Sequence, residues 1–301
     1  MAPKIPYTSI FDVLKAGRDA GRSVDETVFV LILLGDDADR SHIDTLRGAF
    51  LAERAGGLVS VRPLADPTVP DAPYDIAVIV PGADTDDLMR AVEQLAGRGI
   101  PCAILVSSSV CGYDFSHLGY QDYEPEVIAA ADGETLLDKL ASWIIAASGK
   151  GRAFAANFPF VRPAEINALI TACAVQNATV GAINLIPGSD LPIMTANQAK
   201  LALDIAAAYG KGLTLSRIPE VAGVIGAGFA YRALARALVG LIPGVGWALR
   251  AGLGYAGTVA TGNAVKARFE AEARPKHAGE TVLAALPRNS GSPAGVPKRR
   301  G

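Results

Sequence analysis

A chain of 301 residues has room for two domains of ordinary size. Half of its residues are hydrophobic, only 19% are charged and the mean hydropathy is +0.28, so the chain needs a large core or an apolar face turned to lipid or a partner. Three cysteines (Cys102, Cys111, Cys173) and three scattered histidines (His42, His117, His277) exclude a disulfide framework and a zinc site of ordinary spacing. The first residues lack an apolar signal core, which predicts a cytoplasmic protein with no structural metal and no cofactor.

The net charge of −2 conceals an asymmetry, because residues 1–150 carry −11 and residues 151–301 carry +9. Such a split predicts two modules, with a basic half that faces anionic lipid, nucleic acid or the acidic half itself. Ile10, Phe11, Val13 and Leu14 predict a short amphipathic helix over 8–20, within an N-terminal segment 1–27.

Strands and helices then alternate. The apolar run 28–34 fits a buried parallel strand, as do 75–80 and 101–106; 58–62 and 126–130 are shorter strand candidates. Helices are expected over 40–55, over 84–97 with a stop at Gly97 or Gly99, and over 133–147. This order predicts an α/β domain over 28–148 with an open, mostly parallel sheet, and directs attention to the loops after the strands. Residues 149–163, rich in Gly and Pro, are expected to be a linker. An all-α helical-hairpin domain over 164–271 follows, with helices at 164–185, 192–209, 216–240 and 245–271. Residues 272–301 are polar and predict a disordered tail.

The loop after the first strand is where a phosphate-binding motif would stand. Counting from Gly35, Arg40 takes the place of the second Gly, Ser41 of the Lys and His42 of the Ser/Thr. Asp36, Asp37 and Asp39 add negative charge, and each like-charge pair at ~4 Å costs on the order of 1 kcal/mol even in water. These acids either cap the next helix or, as a set of three, ligate a divalent cation; capping is the favoured expectation. After the strand 101–106 stand Ser107, Ser108 and Ser109, a turn or a nucleophile cluster without the Gly-x-Ser-x-Gly setting.

The layout over 28–147 resembles an Era-like bacterial GTPase domain. In that family a strand such as 101–106 ends in a guanine-reading Asn-Lys-x-Asp, which the serines replace here. The resemblance therefore implies a degenerate, GTP-free domain. The second half is similar to a helical domain of unknown function found behind Era-like GTPase domains and in YcjF-type inner-membrane proteins. The residues that carry this likeness are Pro187, Gly188, Asp190 and Pro192, the helix end Tyr209-Gly210, the break Leu241 to Gly244 with Pro243, and a closing helix with Ala260, Thr261, Gly262 and Ala264.

Residues 166–189 hold no charge over 24 positions, which as a helix reaches ~36 Å, but Asn167, Gln176, Asn177 and Asn184 make a poor membrane span. Arg232, Arg236 and Arg250 interrupt the other apolar stretch at a cost of ~2.5–3.5 kcal/mol each at mid-bilayer. Arg232 and Arg236 share one face, with Leu234, Leu238 and Leu241 on another and Trp247 nearby, which suits an anionic inner-membrane surface or a protein partner. The many glycines of this half allow helices to approach closely, whether in lipid or in a tight bundle. The expected function is a non-catalytic pseudo-GTPase adaptor, self-associating or bound to a protein partner. The alternatives are a divergent nucleotide hydrolase and a membrane-remodelling or pore-like protein. Nucleic-acid binding is not expected, since no aromatic residues interleave the basic ones.

Overall fold

The computed structural model describes residues 20–65, 71–108, 112–115, 123–183, 191–211 and 246–273. Five strands form one parallel sheet: β1 (Val28–Leu34), β2 (Gly57–Pro63), β3 (Ile76–Val80), β4 (Cys102–Val106) and β5 (Glu126–Ala129). Their order, β2-β1-β3-β4-β5, is the flavodoxin-like doubly wound order, whose switch point lies between β1 and β3. β3 and β4 are buried throughout, which is why each reads as an unbroken apolar run.

Side chains that alternate along the strands build two cores. Val28, Val30, Ile32, Ile76, Val78 and Leu105 face α1 (Arg40–Ala49) and α3 (Gly133–Ser148). Leu31, Leu33, Ala77, Ile79 and Ile104 face α2 (Thr85–Gly97), which offers Leu88, Ala91, Val92 and Leu95 at helical spacing. The chain leaves α2 through Gly99, whose φ of +64° needs a residue without Cβ.

α1 ends at Ala49, earlier than its helix-forming sequence predicts. Phe50 turns inward and meets Phe158 and Phe160 edge-on, each with ring centroids 5.2 Å away. Glu53 N then donates to Asn157 O at 2.8 Å. Tertiary anchoring thus outweighs local propensity in residues 50–55.

The expected linker is instead part of the core. Gly149, at φ +66°, closes α3, and α4 (Gly151–Asn157) starts at once. A 3-10 turn (Pro159–Val161) leads into α5 (Arg162–Ile183). Phe154, Phe158 and Val161 are fully buried, and two such phenylalanines contribute about 1.5–3 kcal/mol each by burial. The prolines stand in the first turns of helices, where their missing N–H is harmless, and so mark starts here in place of a loop.

α5 packs with α6 (Leu191–Ala208) and α7 (Gly246–Ala273) as a helical bundle. One continuous core runs from β1 through Phe154 and Ile166 to Val265 and Phe269 on α7. Helical residues 20–25 lie against α6, with Ala20 and Val24 packed on Leu203 and Ala207. Asn177, which makes α5 a poor span, is buried: its Nδ2 donates to Thr258 Oγ1 and its Oδ1 accepts from Asn197 Nδ2, both at 2.8 Å. Among the described residues no helix is long and apolar enough to cross a membrane. The predicted helices over 8–20 and 216–240 and the tail from 274 onward lie outside the described residues, apart from Ala20.

Candidate functional site

At the switch point the loops after β1 and β3 touch. A Cβ on Gly35 would stand 2.2 Å from Gly82 N, so this crossing requires glycine. Asp37 Oδ1 accepts from Ala83 N at 2.8 Å and covers Gly82. Asp39 is the N-cap of α1, with Oδ1 accepting from Ser41 N at 2.8 Å, while its Oδ2 accepts from Ser107 Oγ. The Ser107 bond and the backbone N–H of Ser41 hold the Asp39 carboxyl below the usual carboxylate range. His42, in the place of a phosphate-loop Ser/Thr, points inward with Nε2 3.2 Å from Ala130 O.

The structure therefore brings Gly35, Asp37, Asp39 and Ser107 together, and Asp36 lies beside them next to Gly82. Asp37 and Asp39 spend their carboxylates on the backbone N–H groups that an anion would otherwise use. Among the described residues no group of three His, Cys, Asp or Glu could hold a metal ion. Ser107 is a donor to Asp39, Ser108 follows it with a bonding partner of its own, and Ser109 lies outside the described residues. Asp39→Ala should cost about 1 kcal/mol of stability in urea unfolding at pH 7, with Asp39→Asn recovering most of it. A folded-state pKa below the unfolded one means that this contribution is present at neutral pH and fades as pH falls through the carboxylate range.

In the helical half, Tyr209 and Gly210 act structurally. Tyr209 stacks on Phe269 at 5.4 Å, beneath the Arg162 guanidinium. Gly210 has φ +68°, and its carbonyl accepts from Arg54 Nη1 at 2.8 Å, tying the end of α6 to the β1–β2 connection. Pro192 lies in the first turn of α6 and Trp247 in that of α7. Pro187, Gly188, Asp190, Pro243, Gly244, Arg232, Leu234, Arg236, Leu238 and Leu241 lie outside the described residues.

A second site was not legible as a motif. A cavity of about 470 Å³ opens at the other end of the sheet, beside the start of β1, among α4, α5 and α6. Arg152, Glu165, Lys200 and Asp204 line it, together with Lys150, Glu26, Gln176 and Asn197. Arg152 Nη1 donates to Asp204 Oδ1 at 2.6 Å, and Lys200 Nζ pairs with Asp204 Oδ2. Glu165 is buried, and burial raises its pKa to about 7 against the pull of Arg152, with Asp204 adding to the rise and Lys200 opposing it. Sequence spacing could not show this, because the charges stand on three helices that only the bundle brings together.

Fold and sites define an α/β module with a helical bundle packed on one face of its sheet and a β1–β3 switch point whose backbone N–H groups at Ala83 and Ser41 are taken by Asp37 and Asp39. The chain matches no protein-family model, no curated protein and no solved structure.

Proposed function

We propose that this protein is a non-catalytic adaptor, a binding and positioning module that neither holds nor hydrolyses a nucleoside triphosphate. The observation that supports it is the switch point, where Asp37 and Asp39 accept the backbone N–H groups of Ala83 and Ser41. A triphosphate would have to displace both carboxylates and then sit beside them, with Asp36 adjacent. The pseudo-GTPase part of the proposal rests on sequence resemblance. The geometry supports the broader statement, an α/β frame without a vacant phosphate site. Titration of the full chain with fluorescent GTP and ATP in Mg²⁺ should give no binding up to about 1 mM; micromolar affinity for either nucleotide would overturn the proposal.

The partner side of the proposal falls on the helical half. There Arg152, Arg162, Lys200, Lys211, Lys266 and Arg268 each pair with a carboxylate of the same chain. Arg162 does so across the two halves, with Glu53. The proposal gives the contact with a protein partner or an anionic inner-membrane surface to the stretch that carries Arg232 and Arg236, which lies outside the described residues. Sedimentation with anionic liposomes at low salt distinguishes the two: retention in the supernatant sinks the membrane surface and leaves the protein partner.

A further inference from the structure

The sheet has two edges, and they are built differently. β5 forms one of them with four residues, the first of which, Glu126, is exposed and charged. Ala130 N donates to Val106 O, so Glu126 and Ile128 turn their backbone groups to β4, while Val127 and Ala129 turn theirs outward. The outward carbonyl of Ala129 accepts from Lys139 Nζ at 2.7 Å. A short strand, a charge and a covered carbonyl keep an edge from pairing with another chain.

β2 is guarded less. It has seven residues and, among the described residues, pairs with β1 alone. Val28 N donates to Gly56 O and Leu64 N to Leu34 O, so Leu58, Ser60 and Arg62 turn their backbone groups to β1. Gly57, Val59, Val61 and Pro63 turn theirs outward. Gly57 N already donates to Arg54 O, and Pro63 has no N–H. The outward donors are then Val59 and Val61, one on each side of Ser60. Leu58 and Val61 are 46% and 57% exposed, and Leu51, in the connection that leads into β2, is 69% exposed. Exposed apolar side chains gathered in one place mark a contact surface, whereas scattered ones do not.

We propose that the β2 edge pairs with the β2 edge of a second copy of this chain, the two strands antiparallel about a two-fold axis at Ser60. Such an axis needs a self-complementary edge. Outward residues must meet outward residues, and of the two-fold registers that allow this, the one centred on Ser60 overlaps all seven residues of both strands. Val59 then stands opposite the partner's Val61 and exchanges both backbone hydrogen bonds with it, so every outward N–H finds a carbonyl. Cross-strand pairs of β-branched residues add to this. Arg62 falls opposite the partner's Leu58, which its aliphatic stem covers, and not opposite a second arginine. The two Ser60 residues face each other as a non-hydrogen-bonded pair, with Cα atoms about 4.5 Å apart. The pairing belongs to the α/β half and does not depend on the adaptor reading.

The test is the mass of the full chain in solution. Analytical ultracentrifugation over about 1–200 µM should show an equilibrium between the 31.1 kDa chain and its dimer, with a micromolar dissociation constant. Val61→Pro removes one outward N–H from each copy, leaves the ladder to β1 intact, and should weaken the dimer by about tenfold or more. Val61→Lys, at an exposed position, should also weaken it by placing charge on the seam. Under mild oxidation Ser60→Cys should give a disulfide-linked dimer in a Cys111→Ser background, where Cys102 and Cys173 are buried. Arg62→Cys should not, because its two thiols stand four residues out of register, about 14 Å along the strands. A chain that stays monomeric at about 200 µM would overturn the proposal and leave the edge to a strand of another protein. A dimer equally tight in both folded Val61 variants, or cross-linking through position 62 in place of 60, would overturn it as well.

Discussion

Glu165→Gln should stabilise the protein by about 3 kcal/mol at pH 8 and have little effect at pH 4. The cause is the buried carboxyl. Its pKa rises from 4.5 in the unfolded chain to about 7 in the folded one, chiefly through loss of water and in spite of Arg152. The folded state therefore keeps a proton that the unfolded chain releases between these values. The contribution of Glu165 to stability is then most favourable below pH 4.5, falls as pH rises towards 7, and stays low above it. Every tenfold gain in proton affinity on folding corresponds to about 1.4 kcal/mol. Glutamine is neutral at every pH and close in shape, so it removes the penalty without opening a void. Urea unfolding of both proteins at pH 4 and pH 8 measures it. Equal stability at pH 8 would mean that Glu165 has a partner or water in solution, and the same gain at both pH values would point away from ionisation.

The strands were legible because burial on both faces leaves a plain mark. The apolar run 28–34 is β1 to the residue, and 76–80 and 102–106 lie within one residue of expectation. Gly99, one of the two stops expected for its helix, and Gly210 were legible as helix ends, and their φ of +64° and +68° suits the turn out of a helix. Asp39 was legible as a cap. The stretch 149–163 was not, because Gly and Pro punctuate helix ends as readily as loops. Only packing shows that Phe154 and Phe158 lie inside. A linker there would divide the chain at a place where the core is continuous. The cavity escaped for a related reason: Glu165 reads as an ordinary acid in the first turn of a helix until α4 and α6 close over it.

Two alanine substitutions two residues apart on α7 should shift stability in opposite directions. Gly252 is exposed, and a Cβ there would meet nothing within 4 Å. Gly252→Ala should therefore stabilise by about 0.5–1 kcal/mol, the helix-propensity gain alone. Gly254 is buried, and its Cβ would stand 2.7 Å from Asn177 O and 3.1 Å from the carbonyl carbon. Those are backbone atoms inside α5 and cannot swing aside as a side chain would. The helices must separate, and Gly254→Ala should cost about 1–3 kcal/mol in spite of better propensity. Separation also strains the buried network, because Thr258 Oγ1 donates to Gly254 O at 2.7 Å while accepting from Asn177 Nδ2. Glycine abundance in this half fits close helix approach, but composition does not say which glycines serve it. The pair of variants separates those that do from those that do not. Chemical unfolding decides it: equal stability of the two variants would mean that α5 and α7 do not meet at Gly254.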